Sequence, residues 1–226
     1  MTDTPRTLLI TGASSGIGAA TARAAAAAGW HVALAARSRE TLSELTREIG
    51  ADRSRAIVCD VRDAAEVEAA VAEADRLAPL GAVFANAGLG ATVPGSETGE
   101  IGNWREMVDT NIWGLLLTVR FALPKLRATT GQVILTGSQA GRRAIKGSVY
   151  GATKWFVHGF AENLSQEMAE WGGRCTLISP GMVDTPFFDT PKPGALTPED
   201  VAGAVVYALA QPARVNVGEV HLSPRM

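Results

Sequence analysis

Tyr150 and Lys154 stand four residues apart in the run Ser148-Val-Tyr-Gly-Ala-Thr-Lys154, and Ser138 lies twelve residues before the tyrosine, just past the strand-like Gln132-Val-Ile-Leu-Thr136. On a helix that spacing puts phenol and ammonium on one face, where the cation can favour the phenolate. A free phenol with a pKa of about 10 is a poor proton shuttle at neutral pH, so acid–base chemistry would require a fixed positive charge beside it. A nearby serine hydroxyl could donate to an oxygen that gains charge. Such a pair also arises by chance, and for so short a motif a solvated helix face is the commoner outcome.

The other end of the chain changes that balance. Thr7-Leu-Leu-Ile-Thr-Gly-Ala13 reads as a buried strand, Ser14-Ser-Gly-Ile-Gly18 as a glycine-rich turn, and Ala19 to Gly29 as an alanine-rich helix. Gly12, Gly16 and Gly18 suit a tight turn whose backbone approaches a pyrophosphate at the helix N-terminus, with Ser14, Ser15 and Ile17 completing the cradle. The glycine spacing is T-G-x-x-x-G-x-G, and together with Tyr150-x-x-x-Lys154 it resembles the short-chain dehydrogenase/reductase family.

Further landmarks appear in the family's order. Asp60-Val61 follows the strand-like Ala56-Ile-Val-Cys59 and resembles the contact to the adenine ring. Asn86-Ala87-Gly88 follows Ala82-Val-Phe-Ala85, where the resemblance implies a motif that stabilises the sheet centre and borders the cofactor. Asn111 lies inside an expected helix and matches the family's helix-borne asparagine. Pro180-Gly181-Met-Val183-Asp-Thr185 follows Cys175-Thr-Leu-Ile-Ser179 and is similar to the segment that holds the nicotinamide carboxamide. The likeness runs from Thr7 to about Pro224. It departs in one respect: the interval from Ser138 to Tyr150 is one residue shorter than usual, so the loop between them is short, and catalysis is expected to survive.

Strands are expected near 7–13, 31–36, 56–60, 82–86, 132–136, 174–179 and 219–222, with helices near 16–28, 40–49, 64–77, 101–128, 149–171 and 197–210. Continuously apolar runs such as Ala82-Val-Phe-Ala85 fit strands covered on both faces. The alternation predicts an α/β fold, a Rossmann-like doubly wound, seven-stranded parallel sheet flanked by helices in three α/β/α layers. One NAD(P)-binding domain over 1–226 is expected to carry both cofactor and substrate sites, since no linker, repeat or charge block divides the chain.

Composition excludes several classes. A net charge of −2 offers no basic field for nucleic acid or anionic lipid. No apolar run is long enough to span a membrane, and no signal peptide precedes the first strand. Cys59 and Cys175 fall in separate expected strands and read as buried thiols of a reducing compartment, which points to a cytoplasmic protein. His31, His158 and His221 are scattered and form no ligand set, so no metal is expected.

The expected roles follow. Tyr150 is the general acid in carbonyl reduction and the base in alcohol oxidation. Lys154 lowers the tyrosine pKa and, as the resemblance implies, binds the nicotinamide ribose. Ser138 donates to the substrate oxygen. The resemblance assigns Asn111 a water that links the lysine to solvent. For the cofactor, Ala36-Arg37-Ser38 ends the second strand without the acid that an NAD ribose would require, so NADP(H) is favoured over NAD(H), with Arg37 and Ser38 on the 2′-phosphate. The reading is an NADP(H)-dependent oxidoreductase acting on a small carbonyl or secondary alcohol. The alternative is a catalytically silent NADPH-binding sensor or scaffold, against which stands the intact set Asn111, Ser138, Tyr150 and Lys154. Leu89, Gln139, Arg143, Ile145, Met182, Phe187 and Phe188 are expected near the substrate, with the two phenylalanines as an apolar lid and Arg142 or Arg143 as a candidate carboxylate partner. The tail from Gln211 to Leu222 looks like that of members acting on 3-hydroxy acids and serine-like alcohols. Leu115, Leu116, Leu117, Phe156, Phe160 and Trp171 put apolar surface on the two helices that form the main subunit contact in the family, so a homodimer or homotetramer is expected.

Overall fold

Residues that alternate between two covered faces build the sheet. In the computed structural model, which describes residues 5–225, Leu8 and Ile10 of β1 (Thr7–Thr11) enter one core and Leu9 enters the other. The same alternation runs through β2 (His31–Ala36), β4 (Leu80–Ala85), β5 (Gln132–Thr136) and β6 (Arg174–Pro180), and is what a parallel strand between two helical layers requires. With β3 (Ser54–Val58) and β7 (Glu219–Leu222) these form one seven-stranded parallel sheet in the order β3-β2-β1-β4-β5-β6-β7. The direction of winding reverses between β1 and β4, and it is beyond the C-terminal strand ends at such a reversal that open α/β sheets bind ligands.

On one face lie α1 (Gly16–Ala27), α2 (Arg39–Ile49) and α7 (Pro198–Leu209), and on the other α3 (Ala64–Leu77), α5 (Leu115–Thr129) and α6 (Val149–Ala169). The alanines of α1 leave it slim enough to pack closely on α7. The expected cap at Thr197 forms a full capping box, in which the Thr197 hydroxyl accepts from Asp200 N and the Asp200 carboxylate accepts from Thr197 N. The extreme ends of the expected domain, residues 1–4 and 226, lie outside the described residues.

Two expectations need correction. The helix expected over 101–128 is α4 (Ile101–Val108), a π-helical turn (Asp109–Gly114) and then α5. The widened turn follows from a tertiary demand: Asn111 bonds Leu89 and Thr153 and so is drawn out of the regular ladder, while Gly114 comes so close to Val61 that a Cβ there would meet Val61 Cγ2 at 2.7 Å. The apolar surface of the two long helices also differs in its members. Leu115 and Leu117 are buried in the core and Trp171 packs against it under Arg127, whereas Phe156 (36% exposed) does face outward, joined by Ile101 (80%), Trp113 (49%) and Trp155 (53%).

Candidate active site

The C-terminal ends of β1, β4 and β5 are tied together by polar groups. Thr11 Oγ1 accepts from Asn86 N and Ala87 N at 3.0 and 3.2 Å, the Asn86 amide donates to Thr11 O at 3.0 Å, and Asn86 Oδ1 accepts from Thr136 Oγ1 at 3.2 Å. This fixes the loop that carries Gly88, beside which Asn111 Oδ1 and Lys154 Nζ converge.

The glycine turn after β1 is built for close approach. Gly12 (φ +67) and Gly16 (φ +49) occupy the left-handed region, and a Cβ on Gly18 would lie 2.2 Å from Gly12 O. Thr185 packs against Gly16 and brings the Pro180–Thr185 segment to the same turn; Gly181 N donates to Leu222 O and Val183 bridges to Leu196. Helix α1 begins there without a side-chain cap on Ser15 and without an acid in its first turn, so its N-terminal amides present positive charge. These features fit a dinucleotide pyrophosphate, which Ser14, Ser15, Gly16, Ile17 and Gly18 would surround. Arg37 is exposed past β2 and forms no salt bridge among the described residues; Ser38 caps α2 without using its hydroxyl for the helix. Asp60, expected at the adenine ring, is paired with Arg62. The Arg62 guanidinium bonds both of its oxygens at 2.6–3.0 Å and holds the carboxyl below the usual range, with a further lowering from the field of Arg37, while Asp60 N donates to Glu66.

Tyr150 and Lys154 rise from the start of α6, whose N-cap Ser148 accepts from Gly151 N at 2.9 Å. The Lys154 ammonium is buried and donates to Thr136 O at 2.8 Å, with Nζ 5.7 Å from the centre of the Tyr150 ring. Desolvation raises the Tyr150 pKa and a hydrogen bond with Ser138 works against it, so in this structure burial outweighs the depression expected from Lys154. The short Ser138–Tyr150 loop therefore still brings the two hydroxyls together; Ser138 heads a 3-10 turn and its Oγ accepts from Ala140 N at 3.1 Å. Asn111 is almost fully committed. Its amide donates to Leu89 O and Thr153 Oγ1 and accepts from Leu89 N, which leaves one Oδ1 lone pair for a water.

Phe187 meets the Tyr150 ring at 5.5 Å between centres and packs where a Cβ on Gly90 would stand; Phe188 packs edge-on against Phe187. Leu89, also expected near the substrate, stays beside Asn111 through two hydrogen bonds, whereas four other expected neighbours have surroundings of their own. Gln139 donates to Leu222 O and Ser223 Oγ, Arg142 is paired with Glu219, and Arg143 and Ile145 line a hollow with Lys146 and Trp155 whose lining does not include Tyr150. Thr11, Thr136, Thr153 and His158 escaped sequence reasoning; only His158, one turn past Lys154, carried a visible signal in its spacing. Among the described residues no cluster of His, Cys, Asp or Glu could hold a metal, and no helix is long and apolar enough to cross a membrane.

Burial presses Lys154 down from the 10.5 of an ordinary lysine to about 8. Between those values the unfolded chain binds more protons, so stability rises with pH across that window; below it the folded protein carries the full cost of an ionised buried amine, roughly 3 kcal/mol. Lys154→Met is therefore expected to raise the melting temperature of the nucleotide-free protein at pH 7, with the gain shrinking as pH rises through that window. Thermal denaturation across the pH series checks this, and a Met variant melting below the parent at pH 7 would show that the bond to Thr136 dominates.

A family model described as short chain dehydrogenase matches residues 6–194. A protein of Staphylococcus haemolyticus (strain JCSC1435) described as an uncharacterized oxidoreductase is 40% identical over 225 residues, covering 97% of each chain. Among solved structures, an alcohol dehydrogenase from the archaeon Thermococcus sibiricus, complexed with 5-hydroxy-NADP, superposes with a TM-score of 0.89 at 32% identity over 97% of this chain and 96% of that one. The serine dehydrogenase of Escherichia coli does so with 0.87 at 33% identity over 96% and 97%. The chain belongs to the short-chain dehydrogenase/reductase family of oxidoreductases.

Proposed function

We propose that the protein is an NADP(H)-dependent oxidoreductase that interconverts a small carbonyl compound and its alcohol, with Tyr150 as general acid and base. The observation that carries this reading is the meeting of the Tyr150 and Ser138 hydroxyls beside the buried Lys154 ammonium, at the strand ends next to the glycine cradle. When bound, the dinucleotide supplies or accepts the hydride. The chain's own residues do the rest: Ser138 donates to the substrate oxygen, Tyr150 gives that oxygen its proton, and Lys154 stabilises the phenolate left behind. Phe187 excludes water from the face of Tyr150. Asn111 would hold the water that returns the proton. Arg37 and Ser38 would take the 2′-phosphate, and the NADP derivative bound by the Thermococcus sibiricus enzyme supports that choice.

The test is a panel of alcohols with NADP+ and NAD+, namely L-serine, 3-hydroxybutyrate and 2-propanol, and of the matching small carbonyls with the reduced forms, followed at the nicotinamide absorbance band. Turnover of no panel member, with NADPH still bound, would favour a silent binding module.

The same proposal includes assembly and location. Ile101, Trp104, Val108, Ile112 and Trp113, with the Arg105–Asp109 ion pair among them, line an outward groove of about 590 Å³, a largely apolar surface of the kind subunit contacts cover. A homodimer or homotetramer is expected, so light scattering at micromolar concentration should give at least twice the 23.6 kDa chain mass. A single species of monomer mass would defeat this. The buried, unpaired thiols of Cys59 and Cys175, both pushed up to about 12 by burial, suit a reducing cytoplasm.

A further inference from the structure

His158 is only 5% exposed, lies one turn past Lys154 on α6, and is used by none of the chemistry above. Its ring sits against the turn that carries Ser138: Nε2 is 3.0 Å from the Ser138 carbonyl oxygen and 3.2 Å from Ser179 Oγ. Two glycines make room for it. A Cβ on Gly137 would lie 3.0 Å from Nε2, and one on Gly141 would lie 2.6 Å from Cδ2. A carbonyl only accepts, so the nitrogen that faces it carries the ring hydrogen and Nδ1 is bare. Nδ1 is buried without a hydrogen-bond partner, 3.9 Å from Glu219 Oε1. The charged groups around the ring come from three elements: Glu219 on β7, Arg142 after the 3-10 turn and Lys154 on α6 itself. Glu219 is held in turn by a two-pronged pair with Arg142 and by a bond from Ser179. Burial keeps the imidazole below the ordinary histidine range, and Arg142 and Lys154 add to that against the pull of the Ser138 carbonyl and Glu219, so the ring is neutral at pH 7.

We propose that His158 is a positioning residue for Ser138, its Nε2–H bond to the Ser138 carbonyl holding the end of β5 in register with the helix that carries Tyr150 and Lys154. Ser138 and Tyr150 reach the site on different elements joined by a short loop, and their hydroxyls must meet within hydrogen-bond reach. One rigid helix then sets all three groups: Tyr150 and Lys154 directly, Ser138 through His158. The inference rests on the reading of Ser138 as the donor to the substrate oxygen.

The test measures reduction of the fastest carbonyl of the panel with NADPH. His158→Leu, which removes the donor, is expected to lower kcat about ten-fold with the KM for NADPH unchanged. His158→Gln, whose amide can donate from nearly the place of Nε2, should recover most of that loss, and His158→Asn, too short to reach, should not. In a Ser138→Ala background His158→Leu should cost nothing further, because the histidine acts through the serine. Parental kcat in both His158→Leu and His158→Asn, or an equal loss with and without Ser138, would overturn the proposal. Should the Leu variant not fold, the Gln and Asn pair decides it: a ten-fold gap between them supports the role, and equal rates overturn it. Ser138→Ala alone is expected to lose at least a hundred-fold. If it stays active, the reading of Ser138 fails and the inference with it, a result distinct from failure of His158 with Ser138 essential.

Discussion

Tyr150→Phe is expected to lower turnover at least about a hundred-fold while leaving the fold and nucleotide affinity intact. The substitution removes one oxygen from a half-buried ring. Its packing against Phe187 and the separate bond from Lys154 to Thr136 do not involve that oxygen, so the surroundings should hold. The phenol stands at the meeting point of Ser138 and Lys154, while the Lys154 ammonium is held back by its bond to Thr136 O, so the reading makes the phenol the group that hands over the proton. Because burial raises the Tyr150 pKa, the neutral form is the resting state near pH 7, ready to donate in reduction. Alcohol oxidation needs the phenolate, so its rate should climb with pH. Steady-state kinetics with near-ultraviolet dichroism and NADPH titration on the same preparations check the claim. A Phe variant within ten-fold of the parent would show that the proton comes from elsewhere.

The second large effect concerns the nucleotide. NADPH should bind more tightly than NADH, and Arg37→Ala should remove most of that preference while leaving NADH binding almost unchanged. A charge-assisted hydrogen bond contributes about 1.5–3 kcal/mol, which is roughly ten- to a hundred-fold in affinity. Arg37 has no ion pair to give up on binding among the described residues, and its field already reaches Asp60, where the Arg62 pair occupies the carboxylate. As the guanidinium is exposed, the preference should weaken at high salt. Ala36→Asp combined with Arg37→Ala should invert the preference, since the new carboxylate would repel a phosphate and accept from the ribose hydroxyl. Fluorescence titration of both reduced cofactors settles the point. An unchanged ratio in Arg37→Ala would mean that Arg37 is only a loop cation.

What the sequence determined by itself is what short-range pattern can encode. Continuous apolar runs placed β1, β2, β4, β5 and β6 to within about two residues, because burial on both faces leaves no polar register to confuse them. The glycine spacing marked the turn after β1 since only glycine tolerates the positive φ of Gly12 and Gly16 and the closeness of Gly18 to Gly12. The Tyr150–Lys154 spacing marked one helix face, and the chain does build that helix. The tertiary structure decided the rest, because it depends on which strand lies beside which. Asn111 reads locally as a residue in a continuous helix, yet its bonds to Leu89 and Thr153 open a π turn there. Arg142 reads as a free cation until the placing of β7 beside β6 brings Glu219 to it. Leu115 and Trp113 are both apolar and two positions apart, so they face different ways around the helix, and only the packing sends the first into the core and leaves the second outside. Nothing in the chain signals that Ser138 and His158 touch; the carbonyl and the ring meet because α6 crosses the end of β5, a contact between residues twenty positions apart that no local spacing records.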